Sequence, residues 1–109
     1  LREAVVPLLV DELRQVQNDC FVEQAVRIIY ASKIDYSSAL LKLIESSSMD
    51  AYALSLVCLL LGMTGPKQAL KPLWDRFHFF KERYPQENFY QGPLIGLSEL
   101  SYRMSKEGS

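Results

Sequence analysis

The chain has 109 residues, 49% of them hydrophobic, with 12 Lys and Arg against 13 Asp and Glu for a formal net charge of −1. That length suits one domain, residues 1–109, with a core of its own. The near-cancellation of charge excludes the overall basic field that gathers nucleic acid or anionic membrane around a protein.

No window alternates apolar and polar residues as a half-buried strand requires, whereas apolar spacings of three and four recur from end to end. The pattern predicts an all-α fold of six helices, at about 2–17, 20–32, 36–46, 49–62, 66–84 and 87–105. The first carries Val5, Val6, Leu9, Leu13 and Val16 on one side, with Pro7 accepted near its start. The second, opened by Asp19, is expected to bury Val22, Ala25, Val26 and Ile29 and to leave Glu23, Gln24 and Arg27 for solvent or a partner. Asp35 and Ser37 offer capping oxygens to the third, whose core face is Leu40, Leu43 and Ile44.

Asp50 starts the fourth helix, which is apolar almost all round between Ala51 and Leu61 and so is expected at the centre, packed on several sides. Its polar exceptions, Tyr52 and Ser55, are expected to face outward. Gly62 and Gly65 stand where a left-handed C-cap would end it, and Pro66 stands where a helix start tolerates a missing N–H. The fifth helix presents Leu70, Leu73, Trp74, Phe77, Phe80 and Tyr84 as one broad apolar face and is stopped by Pro85. The sixth is expected to bury Tyr90, Leu94, Leu97 and Met104 and to show Gln91, Ser98 and Tyr102, with Gly92-Pro93 and Gly96 as the place for a kink or a terminal cap.

Ala4-Val5-Val6-Pro7-Leu8-Leu9, Ala39-Leu40-Leu41-Lys42-Leu43-Ile44 and Ala69-Leu70-Lys71-Pro72-Leu73-Trp74 align with one another at intervals of about 35 and 30 residues. Each is followed by a break and a second apolar helix, which gives three hairpins at about 2–32, 36–62 and 66–105. One hairpin cannot bury its own apolar face, while three stacked ones can. The stretch from Ala53 to Trp74, with its small apolar helix, Leu61-Gly62-Met63-Thr64-Gly65 break and Ala69-Leu70-Lys71-Pro72-Leu73 restart, resembles the HEAT-like repeat family, in particular its short phycobilisome-lyase type. At the first elbow Ala31-Ser32-Lys33-Ile34-Asp35 stands in place of the Leu-Gly-x-x-Gly pattern. The resemblance implies an α-solenoid of antiparallel helix pairs whose second helices line a concave face used to bind other macromolecules, and it does not imply catalysis.

The residues themselves offer little chemistry. His78 is the only histidine, so multi-His metal centres and a hydrolytic triad have no partner set, and it reads as a packing residue at a helix edge. Cys20 and Cys58 lie in apolar helical surroundings without CxxC spacing and read as small buried hydrophobes. Gly62-Met63-Thr64-Gly65 lacks the spacing and the Lys-Ser/Thr pair of a phosphate loop. Asp11 and Glu12 are adjacent, so they point to different parts of a helix surface. No enzyme, cofactor or metal is expected.

The longest apolar run, Leu56 to Leu61, falls far short of the roughly 20 residues that cross a bilayer. No charged-then-apolar leader is visible at the start of the chain. The expectation is a cytoplasmic scaffold with a protein partner and no membrane, monomeric or weakly self-associating through its terminal hairpins, and a start at Leu1 fits a piece of a longer protein. The expected binding face comprises Glu23, Gln24, Arg27, Tyr52, Ser55, Gln91, Ser98 and Tyr102. The alternative is a nucleic-acid-binding domain that uses Lys71, Arg76, Lys81 and Arg83 on the locally basic fifth helix, interleaved with Trp74, Phe77 and Phe79 and joined by Arg27 and Arg103.

Overall fold

The computed structural model describes residues 19–32, 37–45 and 50–107. Among them are α1 (Asp19–Ser32), α2 (Ser37–Ile44), α3 (Ala51–Thr64), α4 (Leu70–Arg83) and α5 (Gln91–Glu107), with a 3₁₀ turn at Lys67–Ala69 and no strand. The helix expected at about 2–17 lies outside the described residues.

Local chemistry sets the helix ends. Asp50 caps α3, its Oδ2 accepting from the Ala53 N–H at 3.2 Å and its carbonyl accepting from Leu54 N–H at 2.8 Å. At the other end the expected left-handed glycine cap is absent. Gly62 is buried inside α3, and Gly65 is extended at φ −87°, with its N–H donating to the Leu61 carbonyl. Gly65 is needed for space: a Cβ there would lie 2.6 Å from the Leu61 side chain and carbonyl oxygen.

Two prolines shape the starts of α4 and α5. Pro72 has no N–H for the Gln68 carbonyl, and the chain enters α4 through the 3₁₀ turn, with Ala69 N–H on Pro66 O at 2.9 Å. The expected single helix from 66 is therefore a 3₁₀ turn followed by α4. Pro93, in the first turn of α5, likewise cannot donate to Phe89 O. That carbonyl accepts instead from Gly92 N–H at 3.2 Å and from the Ser55 hydroxyl at 2.7 Å. Neither glycine nor proline ends the helix, which runs unbroken from Gln91 to Glu107. Tyr84, before Pro85, leaves the helical region at φ −132° and ψ 58° and ends α4, its N–H donating to Phe80 O.

The core consists of Ile29 from α1, Leu40, Leu43 and Ile44 from α2, the inner faces of α3, Leu73 and Phe80 from α4, and Leu97 and Leu100 from α5. Among the described residues α3 touches the four other helices, as its all-round apolarity predicts, and packs most extensively against α5. The α3–α5 register fixes direction: Ser55 lies beside Gly92, Cys58 beside Gly96, and Gly65 beside Arg103, so the two helices run parallel. α4 and α5 run antiparallel, since Gly65 to Gln68, leading into α4, meet Leu100 to Met104, while Phe80 and Tyr84 meet Phe89 at the other end.

The sixth-helix expectation is corrected in one respect. Leu94 is 41% exposed, and it is Gly92, Pro93 and Gly96 that turn inward with Leu97 and Leu100. A Cβ on Gly92 would collide with the Ser55 backbone, and one on Gly96 would come within 2.7 Å of the Cys58 carbonyl. Close approach between two helices selects positions without a side chain, so the glycines displace the leucine from the interface. Trp74 also departs from its expected core position, at 47% exposed, because the inward stripe of α4 is Leu73 and Phe80.

Candidate partner-binding face

Within α3, every residue from Ala53 to Gly62 is buried except Leu56 and Leu59. With Tyr52 and Met63, also half-buried, these occupy positions i, i+4, i+7 and i+11, a single stripe along the helix. Between half-buried Ala51 and exposed Thr64 at its ends, the central helix therefore shows the outside one narrow band of a tyrosine, two leucines and a methionine. α1 packs against α3 and brings exposed Glu23, Gln24 and Arg27; α5 brings exposed Gln91, Ser98 and Tyr102.

Of the residues expected on the binding face, one pair is in contact and one residue is buried. Tyr52 donates to Glu23 Oε1 at 2.8 Å, which joins α1 to α3 across 29 residues of chain. Tyr102 is 58% exposed, with Lys106 Nζ 5.1 Å from its ring centroid. Ser55 does not belong to the face. It is only 7% exposed and its hydroxyl is spent on the Phe89 carbonyl, so it joins α3 to the start of α5. Its polarity suggested an outward position; the carbonyl freed by Pro93 is what draws it in.

The cations of α4 do not form one stripe. Lys71, Arg76, Lys81 and Arg83 are five, five and two residues apart, which at about 100° per residue spreads them around the helix. Each also has an intramolecular partner. Lys71 pairs with Asp75 at 3.4 Å, and both are highly exposed, so the pair contributes little. Arg76 Nε donates to the Ile44 carbonyl at the end of α2, and its guanidinium lies 4.9 Å from the Phe79 ring centroid. Lys81 sits 4.4 Å from the Tyr90 centroid and Arg83 5.9 Å from that of Phe79.

Arg103 does not join them either. Its Nη2 donates to Gly62 O at 2.6 Å and Gly65 O at 2.8 Å, which satisfies carbonyls at the end of α3. Arg76 on α4 and Arg103 on α5 thus act alike, each donating to a carbonyl at the end of an earlier helix, α2 and α3 respectively. Sequence reading placed Arg103 among exposed cations; the orphan carbonyls at the Gly62–Gly65 elbow were the signal for this partner.

Trp74 and His78 stack at 5.7 Å with their planes 22° apart on the outside of α4, and Phe77 meets both edge-on. Cys58 is fully buried and free, and burial pushes its thiol up from 9.0 to about 12 against the pull of the Arg76 guanidinium, so it is not a ready nucleophile. Among the described residues no group of three or more His, Cys, Asp or Glu side chains is placed to hold a metal, and no helix is long and apolar enough to cross a membrane. Comparison of the chain with protein-family models, with curated proteins and with solved structures finds no match.

Proposed function

We propose that the chain is a HEAT-like helical-repeat scaffold that binds a protein partner on the outward side of α1, α3 and α5. The observation that carries this reading is the Tyr52, Leu56, Leu59 and Met63 stripe, half-buried on a helix that is otherwise enclosed. An apolar band flanked by polar and tyrosine side chains is what an amphipathic helix or an extended peptide packs against. Arg27 on α1 and Tyr102 on α5, both exposed, are residue types that contribute heavily to interfaces. The repeat part of the reading draws support from the parallel course of α3 and α5 and from the paired arginine contacts between successive hairpins. Equivalent elements of stacked repeats run parallel and contact their neighbours in the same way.

The test is capture of partners from lysate by the folded chain, at low and high salt, with and without nuclease. A discrete protein retained in all four conditions, and lost when Arg27, Tyr52 and Tyr102 are substituted together, is the expected result. Retention that vanishes with nuclease or with salt overturns it and directs attention to Lys71, Arg76, Lys81 and Arg83.

A further inference from the structure

At the elbow between α3 and α4 lies an open depression of about 510 Å³, whose lining includes none of the four stripe residues of α3. Lys67, Gln68 and Arg103 supply its polar wall, Leu100 and Met104 its apolar one, and none of the described residues lining it is acidic. Two positive side chains thus share one concavity without a carboxylate between them.

The charge of Arg103 is only partly answered. Its Nη2 serves two carbonyls, but its Nε is shielded from solvent with no hydrogen-bond acceptor, an arrangement that natural structures rarely leave without a reason. Lys67, in the same lining, is exposed. Two carbonyls at this end of α3, Gly62 O and Gly65 O, which would otherwise repel an anion, are covered by Arg103.

We propose that this depression is a carboxylate site that takes the side chain of an aspartate or glutamate in a bound peptide. Lys67 and Arg103 hold the carboxylate, while Leu100 and Met104 receive the methylene stem and the neighbouring residue. A phosphate fits less well, because one of the two cations is already committed to backbone carbonyls and the remaining wall is apolar. The site does not depend on the α3 stripe, so either proposal can fail alone.

The test uses the isotopically labelled full chain at low ionic strength, titrated with blocked Ala-Glu-Ala, blocked Ala-Gln-Ala and inorganic phosphate. The expected result is saturable shifts of the Lys67 and Gln68 amides and of the Arg103 side-chain signal with the glutamate peptide, with a dissociation constant on the order of 1 mM. Lys67→Gln, which leaves the buried contacts of Arg103 in place, should weaken that binding by about three- to tenfold. Equal shifts with the glutamine peptide, tighter binding of phosphate, no saturable shift, or an unchanged affinity in Lys67→Gln would each overturn the proposal.

Discussion

Gly62 on α3 and Gly96 on α5 face each other across the helix crossing so closely that a Cβ on Gly62 would overlap the Gly96 backbone. Intrinsic helix propensity alone makes Gly→Ala in a helix interior favourable by up to about 1 kcal/mol. Here the sign reverses. A methyl at 62 must push two helices apart in a packed core, which typically costs about 1–3 kcal/mol and sometimes more. Gly62→Ala is therefore expected to lower the urea midpoint of unfolding by the equivalent of about 2 kcal/mol, with an unchanged m-value. A neutral or stabilised variant would mean that the crossing is looser than the structure has it.

Arg103 supports the same crossing from its end, through bonds of 2.6 and 2.8 Å to Gly62 O and Gly65 O. Truncation to Ala leaves those carbonyls without their charged donor, and hydrogen bonds to charged groups are worth about 1.5–3 kcal/mol. Arg103→Ala is expected to destabilise within that range. Arg103→Lys is expected to recover only part of the loss, because an ammonium lacks the fork geometry. Arg76→Ala removes the equivalent bond to Ile44 O on a different helix pair. Equilibrium unfolding of the double variant should give the sum of the two losses within about 0.5 kcal/mol.

Ser55 carries a separate expectation, since its hydroxyl is the partner of the Phe89 carbonyl at the start of α5. Ser55→Ala is expected to cost about 1–2 kcal/mol of stability while leaving partner capture intact, because the side chain is buried. Loss of capture in a variant that still folds would return Ser55 to the binding face.

The helical architecture was legible because it follows from periodicity and punctuation. The all-apolar run through Leu56 to Leu61 placed α3 at the centre, Asp50 marked its start, and Pro85 marked the end of α4. The register of contacts was not legible, because size and hydrophobicity are poor guides where backbones nearly touch. Leu94 was expected inside and Gly92 as a break, yet the crossing with α3 needs the glycine inside and leaves the leucine 41% exposed. Ser55 failed for a related reason: its burial depends on a carbonyl vacated by Pro93, 38 residues away along the chain. Of the expected face, Glu23, Gln24, Arg27, Gln91, Ser98 and Tyr102 are exposed and Tyr52 is half-buried, since surface polarity on an amphipathic helix is read directly from spacing.

Cys58 gives a prediction in pH. The folded thiol is pushed up to about 12 by burial from an ordinary value of 9.0. Below pH 9.0 the thiol is protonated in both states, and its contribution to stability is constant. Between there and about 12 the unfolded chain releases the proton while the folded one keeps it, so stability falls as pH rises. The slope from this group is about 1.4 kcal/mol per pH unit. The measurement is the difference in stability between the wild-type chain and Cys58→Ala at each pH, which isolates this thiol. That difference should shift across the window with this slope, and a flat difference would show that the folded thiol titrates normally.

Trp74 and Phe80 lie six residues apart on α4 and separate aromatic bulk from aromatic burial. Both were expected on the core face, yet Phe80 is 0% exposed and Trp74 is 47% exposed, stacked on His78. Phe80→Ala empties a site enclosed by the core and should cost about 3–5 kcal/mol. Trp74→Ala removes the larger side chain but forfeits only its covered half, its stacking on His78 and its edge contact with Phe77, so about 1–2 kcal/mol is expected. The single tryptophan also reports its own environment, since iodide should quench its fluorescence in the native protein nearly as well as in the unfolded chain. Native fluorescence shielded from iodide, together with a loss on Trp74→Ala that matches Phe80→Ala, would place the indole in the core and reassign the outer face of α4.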